Sequence, residues 1–277
     1  MTRSRSSHLP APDIREGFKK IAVEAARLGG AVLQEQARHG FKIEHKDAVN
    51  LVTDADRHAE QTIVEVIRAA YPDHRILAEE RGAQAEGTSD YQWVIDPLDG
   101  TTNFAHGFPA YCVSIGLEYQ GRCILGVVFD PTRCELYLGA EGEGATLNGT
   151  PVQVSSTGSL NAALLVTGFA YDIRESANNN LDHFSRFSLR AQGVRRTGTA
   201  ALDLCYVAAG RFDGFWELKL HAWDTAAGIV IVQEAGGRIT DFKGTPYSIY
   251  GKDLVASNAL IHQEMLEVLN SVGCDGR

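Results

Sequence analysis

The order of hydrophobic patterns along the chain is the feature that most limits its fold. Apolar or small residues recur every three or four positions from Ile14 to Val32, and a second helical pattern covers residues 53–70, as in amphipathic helices. Residues 110–154 then read as successive strands separated by glycine-containing turns. Strands alternate with helices over residues 163–272. This mixed order predicts a layered α/β or α+β protein.

The individual elements follow from the same patterns and from the turn residues between them. Strands are predicted over residues 75–78, 91–95, 111–119, 122–130, 135–138, 151–154, 163–167, 194–197, 212–217 and 254–257. Further helices are predicted over residues 180–192, 200–209, 223–235 and 259–272. The strands between residues 110 and 154 are expected to form an antiparallel meander.

Neither an internal repeat nor a linker rich in Pro or Ser divides the chain. We therefore expect one compact domain over residues 13–277, built of two layered subdomains at about 13–155 and 156–277. Residues 1–12 contain basic and small residues but lack the apolar core of a signal peptide. A mobile leader is expected there.

Composition and charge limit the classes of function. The 277 residues include 26 Lys and Arg against 35 Asp and Glu, a net charge of −9. This balance disfavours direct attraction to nucleic acid or to an acidic membrane, and at first sight also to an anionic small substrate. No apolar run reaches the ~18 residues that would span a bilayer. The five cysteines are scattered and form no C-x-x-C pair, which favours a reduced, cytoplasmic setting without a zinc site.

The segment 93–104 carries the strongest chemical signal. An apolar strand brings Asp96 to its carboxyl end, and Asp99 follows after a proline-containing turn, so the two carboxylates can point at a common centre. The backbone N–H groups of residues 100–102 could hold a phosphate, and Gly100 would let that backbone approach closely. An Asp-rich turn that only caps a strand–helix junction would contain the same residue types.

Three other carboxylates occupy comparable positions. Glu79 ends a predicted strand, and Asp224 begins an apolar helix. Asp56 completes a Thr-x-x-Asp capping box that starts at Thr53. A solvated strand end and helix caps would explain each of them locally, and a cap can also have a function. Together these oxygen ligands suit a hard cation such as Mg²⁺, which implies attack of a metal-activated water on a phosphate ester.

With these motifs, the sequence resembles the inositol monophosphatase family of Mg²⁺-dependent, lithium-sensitive phosphatases. The resemblance extends from about Ile14 to Leu269. It rests on four motifs that follow one another in the chain: Asn50–Asp56, Ala78–Glu80, Asp96–Phe104 and Trp223–Gly228. Two further segments also resemble the family, Gly168–Asp172 and Gly198–Ala201. Ala170 stands where the family often has Pro. The family fold is a layered αβαβα sandwich, shared with sugar phosphatases and usually a homodimer.

The resemblance also implies the metal ligands. Glu79, Asp96 and the backbone carbonyl of Leu98 would hold a first ion, while Asp96, Asp99 and Asp224 would hold a second. A third, weaker ion would sit near Glu79 through water. Two or three Mg²⁺ ions are therefore expected, with Mn²⁺ as a substitute and Li⁺ and Ca²⁺ as inhibitors. Such ions would reverse the negative charge of the site, so the acidic balance no longer argues against a small phosphate ester.

Catalytic and substrate-binding roles follow from the same resemblance. Glu79 and Thr101 would orient and activate the attacking water, and Asp56 would lie behind Thr101. The substrate-binding set comprises Leu98, Asp99, Gly100, Thr101, Thr102, Gly198, Thr199, Ala200, Glu217, Asp224 and Lys46. Lys46 and Glu217 could each instead be an ordinary surface charge. Either Arg195 or Arg196 could reach the substrate or a dimer partner, and the sequence does not choose between them.

The stretch Asp-Gly-Thr-Thr-Asn at residues 99–103 bears on the substrate. Relatives that act on 3′-phosphoadenosine 5′-phosphate tend to have Asp-Gly-Thr-Lys, so Thr102, together with Glu217, favours a polyol ester. The expected substrate is myo-inositol 1-phosphate, with activity on related polyol monophosphates. Fructose 1,6-bisphosphate and histidinol phosphate stay open as alternatives. Because some bacterial family members look like regulators of transcription or ribosome assembly, a dual role also stays open.

Overall fold

The computed structural model describes residues 9–45, 51–84 and 87–271. Its helices are α1 (Pro12–His39), α2 (Asp54–Ala70), α3 (Thr101–Ala105), α4 (Leu181–Ser188), α5 (Ala200–Ala208), α6 (Ala222–Glu234) and α7 (His262–Asn270). Its strands are β1 (Ile43–His45), β2 (Leu51–Thr53), β3 (Arg75–Ala78), β4 (Gly82–Gln84), β5 (Tyr91–Asp99), β6 (Cys112–Tyr119), β7 (Arg122–Asp130), β8 (Glu135–Ala140), β9 (Gly144–Leu147), β10 (Thr150–Pro151), β11 (Leu164–Thr167), β12 (Gly193–Arg195), β13 (Gly214–Leu218), β14 (Arg238–Thr240) and β15 (Asp253–Ser257).

Local signals explain where the first two helices begin and end. Pro12 occupies the first turn of α1, where a missing N–H costs nothing, and Gly40 follows its end with a φ of +92°. Thr53 caps α2 by accepting a hydrogen bond from the N–H of Ala55, while its own N–H donates to Asp56. This confirms the predicted capping box.

Two sheets form the framework of the described chain. The large sheet has the strand order β10-β9-β8-β7-β6-β5-β3-β4, and its neighbours are antiparallel except for the parallel pair β3 and β5. The second sheet has the order β12-β11-β13-β15-β14, with β11 parallel to both of its neighbours. The predicted meander is therefore present as β6 to β10.

Helices and sheets alternate in five layers, with three apolar cores between them. The first core joins α1 and α2 to one face of the large sheet, through side chains such as Ile63 and Trp93. The second lies between that sheet's other face, α5 and α6, and the second sheet. The third joins the second sheet to α4 and α7, where Phe187 and Trp216 contact each other. The predicted αβαβα order is confirmed, because each sheet is apolar on both faces.

Glycines let the layers approach closely at several points. A Cβ added to Gly29 would lie 2.8 Å from Ile63 Cδ1, so a side chain there would force Ile63 on α2 to move. On the opposite face of the sheet, a Cβ on Gly126 would lie 2.2 Å from the carbonyl oxygen of Ala227. The glycine on β7 therefore sets how near α6 comes to the sheet.

Several short elements differ from the sequence prediction. The prediction of a strand over residues 151–154 is wrong, because pairing there stops at Pro151. The structure also adds β1, β2, β4, β9 and β14, which were not predicted. The helix predicted over 180–192 covers only Leu181–Ser188: it begins after Asn180, which has a φ of +70°, and it ends four residues before the predicted end. The last helix likewise begins after Ala259, which has a φ of +69°. A left-handed backbone cannot continue a right-handed helix.

The predicted leader and subdomain boundaries stay predictions. Residues 1–8 lie outside the described residues, and α1 begins at Pro12. The large sheet is built from residues 75–151 and the second from residues 164–257. Within the described ranges, no helix combines the length and the apolar character that crossing a membrane would need.

Candidate active site

A β-bulge places the two carboxylates of the central motif on one face of the large sheet. Asp96 pairs with Ser114 on β6, and Asp99 pairs with Cys112, so three steps along β5 match two steps along β6. The extra residue reverses the normal alternation, and both aspartates therefore point to the same side. The Oδ1 atom of Asp96 accepts a hydrogen bond from the N–H of Leu98 at 3.0 Å, which holds the turn.

Gly100 makes the next bend possible. Its φ is +96°, and a Cβ there would lie 2.4 Å from Cγ2 of Thr199 and 2.9 Å from the carbonyl oxygen of Ala110. No other residue type fits without displacing a neighbour. The single turn of α3 follows directly and brings Thr101 beside the aspartates.

Thr101 and Asp56 form a buried pair between α3 and α2. The Thr101 hydroxyl lies 3.1 Å from Asp56 Oδ1 and 3.1 Å from the carbonyl oxygen of Leu98. Because the hydroxyl carries one proton, donation to Asp56 leaves the Leu98 carbonyl available to another partner. Asp56 is 1% exposed, and burial raises its pKa to about 6.

The remaining carboxylates come from separate elements. Asp224 stands in the first turn of α6, where its Oδ2 accepts a hydrogen bond from the N–H of His221 at 2.7 Å. Asp99 uses its Oδ2 to accept one from the N–H of Ala201 at 2.7 Å. Glu79 follows β3 and lines the same cleft. Within the described chain, the hydrogen bonds of Asp96, Asp99 and Asp224 each use one carboxylate oxygen, which leaves the other for a ligand.

Burial and mutual repulsion make these carboxylates hard to ionise without a counter-ion. Burial raises the pKa of Asp99 to about 7. Burial, followed by the charges of Glu79, Asp99 and Asp224, raises the pKa of Asp96 well above its usual range. Asp224 shifts in the same direction for the same reasons. A bound cation would relieve this repulsion.

The donor set fits Mg²⁺ better than a softer metal. It consists of carboxylate and carbonyl oxygens, without the His and Cys ligands that zinc takes. Among the described residues, no three His, Cys, Asp or Glu side chains stand close enough to enclose an ion by themselves. Mg²⁺ usually keeps several waters and needs few protein ligands, so a hydrated ion suits this spacing.

The aspartates open into a cleft of about 760 Å³. Of the sequence-predicted substrate contacts, all except Lys46 line it, and Lys46 lies outside the described residues. Glu217 is 9% exposed, and a Cβ on the facing Gly168 would come within 2.3 Å of its carboxylate. Burial raises the pKa of Glu217 well above its usual range. The hydroxyl of Thr199 is buried without a hydrogen-bond partner among the described residues.

The structure also brings residues to the cleft that the sequence motifs did not single out. Asp203 lines it, fully buried in the middle of α5, and accepts a hydrogen bond from the Thr197 hydroxyl. The sequence signal that could have identified Asp203 is an acidic residue inside an otherwise apolar helical pattern, because a buried carboxylate needs a polar partner. The thiol of Cys112 lies 3.9 Å from Asp99 Oδ2. Lys219 and Lys252 line the rim.

The two adjacent arginines separate into different environments. Arg196 lines the cleft, and its charge opposes the upward pKa shifts of Asp203 and Glu217. Arg195 is exposed outside the cleft, and its guanidinium donates to the carbonyl oxygen of Val194. Only Arg196 is therefore placed to meet a ligand in this cleft.

Comparisons with known proteins agree with this geometry. A family model described as the inositol monophosphatase family matches residues 15–273. An inositol-1-monophosphatase from Synechocystis sp. is 47% identical over 260 residues, which cover 94% of this chain and 91% of that protein. A Nus factor SuhB from Pseudomonas aeruginosa is 46% identical over 258 residues, or 90% of this chain and 94% of the relative. The solved structure of an inositol monophosphatase from Anabaena (Nostoc) sp. PCC 7120 superposes with a TM-score of 0.85 at 45% identity, covering 93% of this chain and 96% of that one.

Proposed function

The chain belongs to the inositol monophosphatase family, and from this premise we propose that it is a Mg²⁺-dependent phosphatase of myo-inositol 1-phosphate and related polyol monophosphates. The observation that carries the proposal is the meeting of Glu79, Asp96, Asp99 and Asp224 in one cleft beside Thr101. These carboxylates come from three segments of the chain: the end of β3, β5 and the first turn of α6. The burial of Asp96 next to other carboxylates would be unfavourable unless the group served a ligand.

The proposed metal ligands divide into two sets. Glu79, Asp96 and the carbonyl of Leu98 would hold one Mg²⁺, and Asp96, Asp99 and Asp224 another, with a third ion held near Glu79 through water. Because no three such side chains among the described residues enclose an ion by themselves, bound water would bridge part of the distance between ligand and ion. When bound, such ions polarise phosphate oxygens and make water a better nucleophile. Mn²⁺ would substitute, whereas Li⁺ and Ca²⁺ would inhibit. The free carboxylate oxygens described above support this assignment.

The protein's own contribution to the chemistry is orientation and proton transfer. Glu79 and Thr101 would orient the attacking water. The Thr101 hydroxyl can pass its proton towards Asp56 Oδ1, 3.1 Å away, and then accept one from the water. Asp56 is itself held by the N–H and hydroxyl of Thr53 at 2.7 and 2.6 Å, so it keeps Thr101 in one orientation. Gly100, with no side chain, lets phosphate oxygens approach the backbone.

The polyol would occupy the side of the cleft formed by α5 and β13. The Glu217 carboxylate is almost fully buried at the wall of the cleft, and the Thr199 hydroxyl is buried without a hydrogen-bond partner among the described residues. Buried polar groups of this kind are satisfied by a hydroxyl-rich ligand. Gly198 and Ala200 complete this wall, and Arg196 is placed to contact the ester.

A substrate panel tests the proposal. Phosphate release would be measured with Mg²⁺ on myo-inositol 1-phosphate, fructose 1,6-bisphosphate, histidinol phosphate and 3′-phosphoadenosine 5′-phosphate. The highest kcat/KM is expected for inositol 1-phosphate. A higher value for one of the other esters would overturn the substrate assignment, and absence of turnover on all of them would overturn the phosphatase assignment.

A role in a transcription complex is a second candidate, because the relative named Nus factor SuhB is nearly as similar as the one named inositol-1-monophosphatase. The acidic net charge of −9 does not support direct contact with nucleic acid. We therefore propose a protein–protein contact for this role. Pull-downs with wild type and with Asp99→Asn would test it. Polymerase or ribosomal proteins recovered equally with both variants would support a binding role separate from turnover, and recovery with neither would exclude it.

We also propose a cytoplasmic homodimer. Large apolar side chains stand exposed on the surface, among them Leu189, which is 85% exposed, and Phe108, which is 54% exposed. A dimer interface would require such side chains to form one contiguous patch that the second copy covers. Light scattering of the purified protein at several concentrations would distinguish a dimer from a monomer.

A further inference from the structure

One lysine outside the proposed metal and substrate contacts reaches from one side of the cleft to the other. Lys219 directly follows β13, and its Nζ lies 2.5 Å from Asp172 Oδ2 and 2.8 Å from the hydroxyl of Ser176. Both partners belong to residues 168–180, which connect β11 to α4 and which we call the cleft-wall segment. Lys219 and Asp172 both line the cleft.

The ends of the cleft-wall segment are firmly anchored. Asn180, which is 4% exposed, donates from Nδ2 to the hydroxyl of Thr167 at 2.9 Å and to the carbonyl oxygen of Gly168 at 2.8 Å. Its Oδ1 accepts a hydrogen bond from the indole N–H of Trp216 at 2.8 Å. These buried bonds hold both ends of the segment to the second sheet.

The middle of the segment has a different environment. Tyr171 and Asp172 are exposed, and residues 171–174 form a short 3₁₀ turn whose backbone hydrogen bonds stay within the segment. Lys219 binds this turn from the opposite wall. Its ammonium group spans two partners, so a shift of the turn would break both contacts at once.

The backbone of Lys219 adopts an unusual conformation to make this bridge. Its φ is +63°, a region that residues with a Cβ rarely occupy because it costs energy. Its N–H donates to the carbonyl oxygen of Lys252. A strained backbone persists only where surrounding contacts hold it, and here the held side chain faces the cleft.

The position of the cleft-wall segment affects the proposed polyol contact directly. Gly168, its first residue, lies against Glu217, close enough that a Cβ would reach within 2.3 Å of the carboxylate. Two residues after Glu217 the chain reaches Lys219. Lys219 therefore connects the middle of the cleft-wall segment to β13, the strand that carries Glu217.

Building on the proposed phosphatase function, we propose that Lys219 is a positioning residue: by binding Asp172 and Ser176 it fastens the cleft-wall segment and sets the affinity for the polyol part of the substrate. It does not touch the metal ligands. Its loss should raise KM for a polyol ester and leave kcat nearly unchanged.

The variant Lys219→Gly tests this with little risk to folding. Glycine removes the bridge but accepts a φ of +63° without strain, so Tm should stay equal or rise. KM for myo-inositol 1-phosphate should rise roughly two- to fivefold, the range for an exposed ion pair. KM for p-nitrophenyl phosphate, which has no polyol hydroxyls, should not change. An unchanged KM for the inositol ester, or equal rises for both esters, would overturn the proposal.

Two further variants serve as control and rescue. Lys19→Ala removes an ion pair with Glu143, 2.7 Å long and outside the cleft, and should leave both KM values as in wild type. Lys219→Asp keeps a residue type that tolerates left-handed backbone but repels Asp172, so KM should rise further. Adding Asp172→Lys restores the attraction and should bring KM back towards wild type. Failure of this rescue would count against the bridge.

A readout without substrate separates this proposal from the proposed function. Arg174 is an exposed trypsin site inside the cleft-wall segment. Cleavage after Arg174, followed by mass spectrometry, should be faster in Lys219→Gly than in wild type or Lys19→Ala. If wild type hydrolyses no inositol ester, the proposed function fails, and equal cleavage rates would then overturn the fastening role as well.

Discussion

At the residue scale, Asp99 shows how one carboxylate serves the fold and the site through different atoms. Its Oδ2 accepts hydrogen bonds from the N–H of Ala201 and is approached by the thiol of Cys112, which ties β5 to the start of α5. Its Oδ1 is left for a ligand. A change of charge without a change of shape should therefore separate the two roles.

Asp99→Asn is expected to fold normally and to lose activity by more than about 100-fold, because even residues behind metal ligands are worth about 10–100-fold. Phosphate release at saturating Mg²⁺ and the Tm would be measured together. Asp253→Asn is a matched control, since Asp253 lines the same cleft but is not a proposed ligand. Activity of Asp99→Asn within a few-fold of wild type would refute the assignment.

The paired arginines give a second residue-scale prediction. Arg196→Gln should raise KM for the phosphate ester about two- to fivefold, an effect that added salt should reduce because the side chain is exposed. Arg195→Gln should leave KM unchanged, since Arg195 lies outside the cleft. If both substitutions raise KM equally, the position of Arg196 in the cleft does not explain its effect, and the prediction is wrong.

At the scale of elements, the position of α6 determines whether Asp224 can reach the other carboxylates. The helix approaches the large sheet through Gly116 and Gly126, where an added Cβ would meet Ala226 Cβ at 2.7 Å and the Ala227 carbonyl oxygen at 2.2 Å. Backbone atoms cannot rotate away as a side chain can. The site therefore depends on glycines that never touch a ligand.

Gly126→Ala should accordingly push α6 outwards, lower the free energy of unfolding by about 1–3 kcal/mol, and weaken Mg²⁺ binding through Asp224. Urea unfolding and calorimetric titration of Mg²⁺ would measure the two effects. Gly158→Ala is the control, because a Cβ there meets nothing within 4 Å. If Gly126→Ala is destabilised but binds Mg²⁺ with wild-type affinity, the position of α6 does not control the metal site and the prediction is wrong.

At the scale of the whole molecule, the buried carboxylates couple stability to pH and metal. Burial raises the pKa of Asp56 to about 6 and of Asp99 to about 7, both above the ordinary value of 3.8. The metal-free folded chain therefore binds protons that the unfolded chain has lost. The stability that these groups contribute is present at low pH and is lost as the pH rises through this window.

The metal-free protein should therefore have a lower Tm at pH 8 than at pH 5. Mg²⁺ at about 100 times its Kd should raise the Tm by about 5–8 °C at pH 8, and by less at pH 5, where protons compete for the carboxylates. Thermal scans with EDTA and with Mg²⁺ at both pH values would test this. An equal Mg²⁺ shift at both pH values would contradict it.

Much of the architecture could be predicted from the sequence because its signals are local. The capping box at Thr53 and the strand at residues 75–78 follow from residues close together in the chain. The order of the layers was expected from the resemblance to the family. The short strands β1, β2, β4, β9 and β14 could not be predicted, since a few residues carry too weak a pattern. The left-handed backbones of Asn180 and Ala259 moved the start of two helices, and the side chain of Asn180 is held by Thr167 and Trp216, which are far from it in the sequence.

The sequence by itself predicted a layered protein of mixed helices and strands and placed Glu79, Asp96, Asp99 and Asp224 at strand ends or a helix start, because periodicity and turn chemistry act between neighbours. The αβαβα order came from the resemblance to the family. Only the tertiary structure decided that Arg196 rather than Arg195 faces the cleft, that Asp203 lines it, and that Lys219 meets Asp172 across it. These facts depend on the packing of segments far apart in the chain. The physical reason is that the contacts of a side chain depend on which layers pack together, and a local sequence pattern carries no information about that packing.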